Sequence, residues 1–190
     1  MVLSKVDDLK KFLEKKITII AGPGTTNYSR LNEILEIIYN DETNLVLDAA
    51  CIEIVKSKKF SSLPIITPHE GEAAKLLGIN VDEISNKREY YAQKISDKFS
   101  VITVLKGYET IITDGNKIYI CKDGDSSLAF AGSGDILAGL IGSFLAQGAK
   151  RIDSCLLGVS LHAYSATNSK LKRGLTANEL IDLIRKNLNQ

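Results

Sequence analysis

A glycine-rich segment with one acid, Gly132-Ser133-Gly134-Asp135, precedes a long apolar pattern in the last third of the 190-residue chain. Its glycines allow the backbone to turn with exposed amide groups, and the helix that follows adds a partial positive charge. We therefore expect an anion hole here. Asp135 has the place of a base that accepts or orients the proton of a hydroxyl attacking a phosphoryl group. The helix dipole alone also favours an Asp in a first helical turn, so this segment leaves both interpretations open.

The residues after Asp135 favour the chemical interpretation. The pattern combines small residues with a nearly continuous set of apolar ones, which is typical of a helix that is buried on almost all sides. The N-terminus of such a helix faces something packed against the protein. The small residues are Ala138, Gly139, Gly142 and Ser143, and the apolar ones are Ile136, Leu137, Leu140, Ile141, Phe144 and Leu145.

Two further segments follow predicted strands, at the edge where ligands of open α/β sheets collect. Lys106-Gly107 follows the apolar run 101–105, which makes Lys106 a candidate for a phosphate contact, although a lysine in a solvent-exposed turn fits equally well. Gly22-Pro23-Gly24 follows the run 17–21 and is either a phosphate or substrate loop or a plain sharp turn. It matches neither the P-loop nor the dinucleotide-binding glycine pattern.

Thr67-Pro68-His69-Glu70-Gly71-Glu72 lies between a short apolar run and a helical pattern. A histidine between a proline and an acid at such a junction is more often exposed to a cleft than buried, so we expect His69 to contact a ligand. Glu70 and Glu72 have the ordinary alternative of acids favoured by a helix N-terminus. His162 lies in the middle of a helical pattern, and we expect a structural or at most a peripheral role for it.

Several apolar runs lack polar alternation, which indicates strands covered on both faces, as in a parallel sheet. Helical patterns lie between the runs, so we predict a layered α/β domain. Asp114-Gly115 favours a tight turn between two antiparallel strands at the sheet edge. The predicted strands cover residues 17–21, 45–47, 64–66, 101–105, 109–113 and 117–121, and the predicted helices cover 31–39, 73–77, 90–99, 133–147, 152–170 and 176–187.

The composition limits the class of protein. A chain of 190 residues, 44% of them hydrophobic, is expected to form one domain with a sizeable core. The 24 Lys and Arg residues nearly balance the 23 Asp and Glu residues, so we expect small-molecule or protein partners rather than nucleic acid or a membrane. The three cysteines lack the number and spacing of a disulfide framework or a zinc site, which favours a reducing cytoplasm. Residues 1–16 lack the apolar centre of a signal peptide, and no segment reaches the roughly 20 apolar residues that span a bilayer.

Five segments resemble one family when they are taken together, in their order and spacing. They are Gly22-Pro23-Gly24, Leu47-Asp48-Ala49-Ala50, Thr67 to Glu72, Lys106-Gly107 and Gly132 to Asp135. The set resembles the ADP- or ATP-dependent NAD(P)H-hydrate dehydratases of the ribokinase-like superfamily, and the histidine of T-P-H-x-G-E separates this family from its kinase relatives. The resemblance implies a three-layer αβα sandwich over residues 1–190, with a mostly parallel central sheet and an edge hairpin. It also implies the reaction, which removes water from hydrated NADH or NADPH by phosphorylating the ring hydroxyl and eliminating phosphate.

The resemblance further implies roles for individual residues. Asp135 would be the base and a substrate contact, beside an anion hole formed by Gly132, Ser133 and Gly134, with Gly134 also near the nucleotide. The phosphates of ADP or ATP would lie against Lys106, Gly107, Tyr108, Glu109 and Thr110. Gly24 and His69 would touch the hydrated dinucleotide, and Glu72 would act on Mg²⁺ through water.

The N-terminal part departs from the family pattern. Family members normally carry several β-α elements before the Gly-Pro-Gly segment, whereas 21 residues precede Gly22 here. We therefore expect the sheet to lack the family's first β-α elements and to have an exposed edge. A partner chain in a homo-oligomer, or the segment Met1 to Lys16, would cover that edge.

Two other functions stay open at this point. A small-molecule kinase of the same superfamily would use the same aspartate and anion hole on an alcohol, although His69 argues against it. A shortened chain is also compatible with a non-catalytic nucleotide-binding or assembly module.

Overall fold

A six-stranded sheet organises the protein in the computed structural model, which describes residues 17–25, 33, 34, 36, 43–60, 62–171 and 173–189. The strands have the same order in the sheet as in the chain: β1 (Thr18–Ala21), β2 (Asn44–Leu47), β3 (Ile65–Ile66), β4 (Ile102–Leu105), β5 (Thr110–Thr113) and β6 (Ile118–Cys121). The first four strands are parallel, and β5 and β6 continue the sheet as antiparallel neighbours. The predicted mostly parallel sheet with an edge hairpin is confirmed.

The helices pack against this sheet or against one another, and they are numbered in chain order. They are α1 (Glu70–Leu77), α2 (Val81–Asn86), α3 (Arg88–Phe99), α4 (Ser133–Ala146), α5 (Arg151–Thr167) and α6 (Ala177–Leu188), with 3₁₀ helices at Ala49–Lys56 and Ser126–Leu128. Residues 33, 34 and 36 are also helical.

Alternate residues of the central strands pack into two different cores, because successive side chains of a strand point to opposite faces. Leu47 and Ile66 belong to a core shared with α1, α2 and α3. Val46 and Ile65 belong to a second core shared with α4 and α5. A smaller third core joins α6 to α4 and α5. Coverage on both faces explains why these runs show no polar alternation, and it produces the expected three layers.

The parallel strands place four loops at one edge of the sheet. Leu47 is in register with Ala21 on one side and with Ile66 on the other, so the carboxyl ends of these strands are level. The chain leaves this edge at Gly22, Asp48, Thr67 and Lys106, directly after β1, β2, β3 and β4. These residues are far apart in the sequence and adjacent in the fold.

Some helix boundaries differ from the predicted ones. The helix predicted to reach residue 170 ends at Thr167, where the Asn168 side-chain amide donates to the Tyr164 carbonyl oxygen at 2.9 Å and closes the last turn. Helix α2 was not predicted, although Asn80 and Glu83 form the capping box that begins it. Residues 1–16 and most of the predicted helix 31–39 lie outside the described residues.

The helices and the cysteines bear on membrane insertion and on redox chemistry. Within the described ranges, no helix has both the length and the apolar character required to cross a bilayer. The three cysteines are all free thiols, with Cys51 and Cys155 buried. Burial, reinforced by the nearby Asp48 carboxylate, raises the pKa of Cys51 to about 12, so this thiol is protonated at neutral pH.

Candidate active site

A buried carboxylate connects three of the loops at the sheet edge. The side chain of Asp48 is only 3% exposed. Its Oδ1 accepts a hydrogen bond from the Thr67 hydroxyl at 2.7 Å and another from the Lys106 ammonium at 2.8 Å. Two donors satisfy the buried charge, and the ammonium is held in one place because breaking this pair would leave Asp48 without its cation.

Gly22 packs the first loop against the same region. Its φ is 125°, and an added Cβ would lie 1.7 Å from the Asp48 carbonyl oxygen, so only glycine fits. The Asp48 amide also donates to the Ala21 carbonyl oxygen at 2.9 Å. Gly24, with φ of 69°, is exposed, and nothing lies within 4 Å of a Cβ built on it. The Gly-Pro-Gly segment is therefore a tight turn at Gly22 and an open surface at Gly24.

His69 forms the N-cap of α1. Its Nδ1 accepts hydrogen bonds from the backbone amides of Gly71 at 3.0 Å and Glu72 at 3.3 Å. In return, Glu72 Oε2 accepts from the His69 amide at 2.8 Å, which completes a capping box. An acceptor Nδ1 carries no proton, so the neutral ring has its N–H at Nε2. The side chain is 61% exposed, as expected for this junction.

Glu72 extends the charge cluster beyond Asp48. Its Oε2 lies 4.0 Å from Lys106 Nζ, and the side chain is 19% exposed. The ammonium thus lies between two carboxylates, one from the loop after β2 and one from the first turn of α1. The arrangement places one cation and two anions where β2, β3 and β4 end.

The start of α4 lies directly beside the Lys106 ammonium. Gly132 is the N-cap residue, with φ of 94°, and the helix begins at Ser133. A Cβ built on Gly134 would lie 3.2 Å from Lys106 Nζ and 3.8 Å from Asp48 Oδ2. A side chain at this position would fill the space between the helix N-terminus and the ammonium. The predicted anion hole is therefore next to a fixed positive charge.

A cavity of about 490 Å³ opens from this junction. One wall is the loop after β4, and another is the first turn of α4, with Ser133 and Gly134. Lys106, Gly107, Tyr108, Glu109 and Thr110 all line the cavity, as do Asp123, Gly124, Asp125 and Ser126. The apolar part of the wall includes Leu128, Phe130, Leu137 and Val159. The fold thus brings the five residues predicted to hold phosphates and two of the anion-hole residues to one cavity.

Asp135 has a different environment. It lies in the first turn of α4 but is exposed and does not line this cavity. With the described residues its carboxylate forms neither a hydrogen bond nor an ion pair. Gly132, Gly24, His69 and Glu72 also lie outside the cavity lining. The candidate site thus has a cavity on the Ser133 side and an exposed carboxylate on the Asp135 side.

His162 supports the wall of the cavity. Its Nε2 lies 3.1 Å from the Ser133 carbonyl oxygen and 3.3 Å from the Ser133 hydroxyl, so the neutral ring donates from Nε2 to the first turn of α4. Burial, with a contribution from the Lys106 charge, lowers the pKa of His162 to about 4 despite the bond to Ser133. The contact agrees with the structural role expected from the sequence, and it makes His162 part of the cavity wall.

Two residues of the site were given no predicted role, although Asp48 stands in the segment Leu47-Asp48-Ala49-Ala50 that carries part of the family resemblance. Asp48 had a usable signal, because it is a lone acid directly after an apolar strand. Arg88 had none: it is the first residue of α3, and its contacts are made with carbonyl groups 17 to 20 residues away in the chain.

Comparison with known proteins shows the family to which this chain belongs. A family model described as NAD(P)H-hydrate dehydratase matches residues 3–187. The chain belongs to this family. The resemblance inferred from the five segments is confirmed.

The chain is also similar to part of a longer curated protein. The bifunctional NAD(P)H-hydrate repair enzyme Nnr of Vibrio cholerae is 34% identical over 172 residues, which cover 88% of this chain and 35% of that protein. The chain therefore spans about a third of the length of that relative.

Solved structures confirm the fold. The ADP/ATP-dependent NAD(P)H-hydrate dehydratase of Bacillus subtilis, co-crystallised with ATP and Mg²⁺, has a TM-score of 0.83 at 26% identity, covering 96% of this chain and 69% of that one. A ribokinase-like superfamily protein of Enterococcus faecalis has a TM-score of 0.82 at 22% identity, covering 96% of this chain and 66% of that one. The predicted ribokinase-like α/β fold is therefore correct.

Proposed function

We propose that this protein is a nucleotide-dependent dehydratase that restores hydrated NADH and NADPH, using ADP or ATP as phosphoryl donor. The observation that carries the proposal is the junction of Lys106 and Gly134, where a cavity of about 490 Å³ ends at a helix N-terminus and a buried ion pair. Membership of the NAD(P)H-hydrate dehydratase family supports the same reaction.

The cavity has the size and the distribution of polar groups that a nucleotide requires. Its volume falls within the range of roughly 300 to 1,000 Å³ that is common for small-molecule sites. We place the phosphates against the loop from Lys106 to Thr110 and the first turn of α4, where amides and an ammonium stabilise negative charge. The apolar side chains of Leu128, Phe130 and Val159 are then left to contact the adenine ring of the nucleotide. This placement puts the terminal phosphate at the end of the cavity nearest Asp135.

The hydrated nicotinamide ring is placed on the open side, against Asp135. Asp135 accepts the proton of the ring hydroxyl. At the same time the hydroxyl oxygen forms a bond to the terminal phosphorus of the nucleotide, and the P–O bond that bridges this phosphorus to the rest of the nucleotide breaks. The amides at the start of α4 and Lys106 stabilise the charge on the transferred group. The lone pair of the ring nitrogen then expels phosphate, and a neighbouring ring carbon gives its proton to water, which forms the ring double bond of the reduced nicotinamide. His69, whose side chain is 61% exposed, and Gly24 are proposed contacts of this substrate.

The residues present fit a magnesium ion whose ligands are mostly phosphate oxygens and water. Within the described ranges, no cluster of three or more metal-binding side chains exists. Glu72 is partly exposed and lies near the Lys106 ammonium, but one of its oxygens is engaged by the capping box. One carboxylate acting through water, with phosphate oxygens as the direct ligands, is a common way to bind Mg²⁺. The ion would neutralise phosphate charge, while Glu72 would orient its water.

The test is a turnover assay. The protein is incubated with hydrated NADH, Mg²⁺ and either ADP or ATP, and the recovery of the reduced-nicotinamide absorbance is followed. We expect recovery with at least one nucleotide. No recovery with either nucleotide would overturn the dehydratase proposal, and nucleotide binding in the same sample would then favour a non-catalytic module.

We also propose the domain organisation, the oligomeric state and the cellular location of the protein. A single domain over residues 1–190 is supported by the one sheet that joins all described strands. A homo-oligomer is supported by the position of β1 at the edge of that sheet, where it pairs only with β2 among the described strands. A cytoplasmic location is supported by three free thiols. Size-exclusion chromatography with light scattering would test the oligomer.

A further inference from the structure

The loop after β4 closes around a single guanidinium group. Arg88, the first residue of α3, has a side chain that is 15% exposed. Its Nη2 donates to the carbonyl oxygens of Leu105 and Lys106, each at 3.3 Å, and its Nη1 donates to the carbonyl oxygen of Tyr108. Three carbonyl groups of one short loop thus converge on one cation.

The same guanidinium is anchored on its other side to the T-P-H-E-G-E segment. Arg88 Nε lies 3.0 Å from Glu70 Oε1 in an ion pair that lacks hydrogen-bond geometry, and Glu70 Oε2 accepts from the Ser85 hydroxyl at 2.6 Å. The Lys106 amide also donates to the Pro68 carbonyl oxygen at 2.8 Å. Arg88 therefore ties the loop of Lys106 to the start of α1.

The loop has a backbone that requires such support. Gly107 has φ of 145° and Glu109 has φ of 54°, both in the region that favours glycine. Such conformations persist only where the surroundings determine them. A Cβ on Gly107 would lie 2.7 Å from Arg88 Nη2, so the guanidinium also accounts for the glycine at this position.

The bonds to Arg88 determine which way the loop amides point. In a planar trans peptide, the C=O and the N–H of one unit point in opposite directions. Because the carbonyls of Lys106 and Tyr108 face Arg88, the amides of Gly107 and Glu109 face away from it. Both residues line the cavity, and in the described part of the chain neither amide has a hydrogen-bond acceptor.

We propose that Arg88 is a positioning residue that turns the Gly107 and Glu109 amides toward the nucleotide phosphates, with Glu70 as its anchor. This inference rests on the proposed binding of a nucleotide in the cavity. A guanidinium has five N–H donors in a rigid fork and spreads them over several acceptors, which a lysine ammonium at one point does not reproduce. Arg88 touches no reacting atom in this scheme and acts through the loop.

The decisive variant is Arg88→Ala, assayed for nucleotide KM, for kcat and for nucleotide affinity by calorimetry. We expect the nucleotide KM and Kd to rise by about tenfold or more, because small displacements of positioning groups have effects of this size. The KM for hydrated NADH and the kcat at saturating nucleotide should change by less than about threefold. Arg151→Ala is the matched control, because Arg151 is likewise the first residue of a helix, α5, and forms no hydrogen bond or ion pair with the described residues of the loop.

Chemical rescue separates positioning from general loss of structure. Millimolar guanidinium chloride should restore most of the nucleotide affinity of R88A, while sodium chloride at the same ionic strength should not. Arg88→Lys should resemble R88A rather than the unmodified protein. If R88A does not fold, Glu70→Gln supplies the test, with an expected rise in nucleotide KM of about threefold, since the guanidinium keeps its carbonyl partners but loses its ionic anchor.

Several outcomes would contradict the inference. An unchanged nucleotide KM in R88A, an equal effect of Arg151→Ala, full function of R88K, or a defect that guanidinium does not restore would each overturn it. Absence of nucleotide binding by the unmodified protein would overturn the proposed function, and the role of Arg88 with it. Normal nucleotide binding by R88A would overturn the role of Arg88 alone.

Discussion

The Lys106 ammonium lies beside the start of α4, the Asp135 carboxylate belongs to the first turn of α4, and the two groups have opposite surroundings. Lys106 is 20% exposed and bonded to the buried Asp48, with Glu72 4.0 Å away. Asp135 is exposed and forms no polar contact with any described residue. The first group is held in place by protein side chains, whereas the second is free to contact a substrate.

The difference corresponds to two proposed catalytic roles, stabilisation of charge by Lys106 and proton transfer by Asp135. A group that stabilises charge is most effective when its position is set before the reaction, so its partners are buried and permanent. A base must exchange a proton with the substrate, and a permanent partner would compete with that exchange. We therefore expect changes on the Asp135 side to affect turnover with little effect on folding, and changes on the Lys106 side to affect both.

The largest effect is expected for Asp135→Asn. Removal of a general base costs about 10² to 10⁴ in rate, and the exposed side chain has no described contact to lose. The kcat for hydrated NADH should fall by this factor while the urea unfolding midpoint stays the same. Asp153→Asn is the control, because Asp153 is an exposed acid in the first turn of α5. Retained turnover in D135N would remove Asp135 from the mechanism.

Lys106→Met tests the other side through stability. The methionine keeps the shape of the side chain but leaves the buried Asp48 with only the Thr67 hydroxyl as partner. We expect a loss of about 2 kcal/mol in the free energy of unfolding by urea, below the value for a fully buried pair because Lys106 is partly exposed. Adding Asp48→Asn should recover part of this loss. Lys75→Met, at an exposed lysine of α1, should change stability by less than about 0.5 kcal/mol.

Gly134→Ala tests the space between the two groups. The new Cβ would lie 3.2 Å from Lys106 Nζ and would shield the α4 amides from a phosphate. We expect nucleotide affinity to weaken by about tenfold, or about 1.4 kcal/mol, in calorimetry. Gly139→Ala in the same helix has nothing within 4 Å of its Cβ, so it should stabilise the helix by about 0.5 to 1 kcal/mol and leave affinity unchanged. Equal behaviour of the two variants would show that the Gly134 space is not used.

The smallest effect at neutral pH is expected for His162. Burial lowers its pKa to about 4 in the folded protein, against 6.5 for an ordinary histidine. Between these values the unfolded chain binds more protons than the folded one, so the contribution of His162 makes stability fall as the pH decreases from 6.5 to 4. His162→Gln, which keeps a donor near Ser133, should flatten the pH dependence of the unfolding free energy in this window. An unchanged slope would contradict the buried neutral histidine.

Much of the fold was predictable because its signals are local. The run 101–105 has no polar alternation, and β4 is buried on both faces. Thr176 and Glu179 predicted the start of α6, and their capping box is present. Asp114-Gly115 predicted the turn between β5 and β6. Each signal involves residues close together in the chain, and backbone preferences alone carry it.

The candidate site was predictable only in part. The sequence placed Lys106, His69 and the segment Gly132 to Asp135 at ends of strands or helices, and the structure agrees. It did not show that Asp48 is the partner of Lys106, since these residues are 58 positions apart in the chain. It also did not show that the cavity would be lined by Ser133 and Gly134 but not by Asp135.

The sequence by itself determined the family, the parallel sheet and the chemical types of the site residues, because these depend on local patterns and on the order of motifs. Only the tertiary structure decided which charges meet. Asp48, Lys106 and Glu72 come together because β2, β3 and β4 end at one edge of the sheet. Arg88 holds its loop because α3 begins beside the end of β4. Such contacts depend on packing between distant segments, which no local preference encodes.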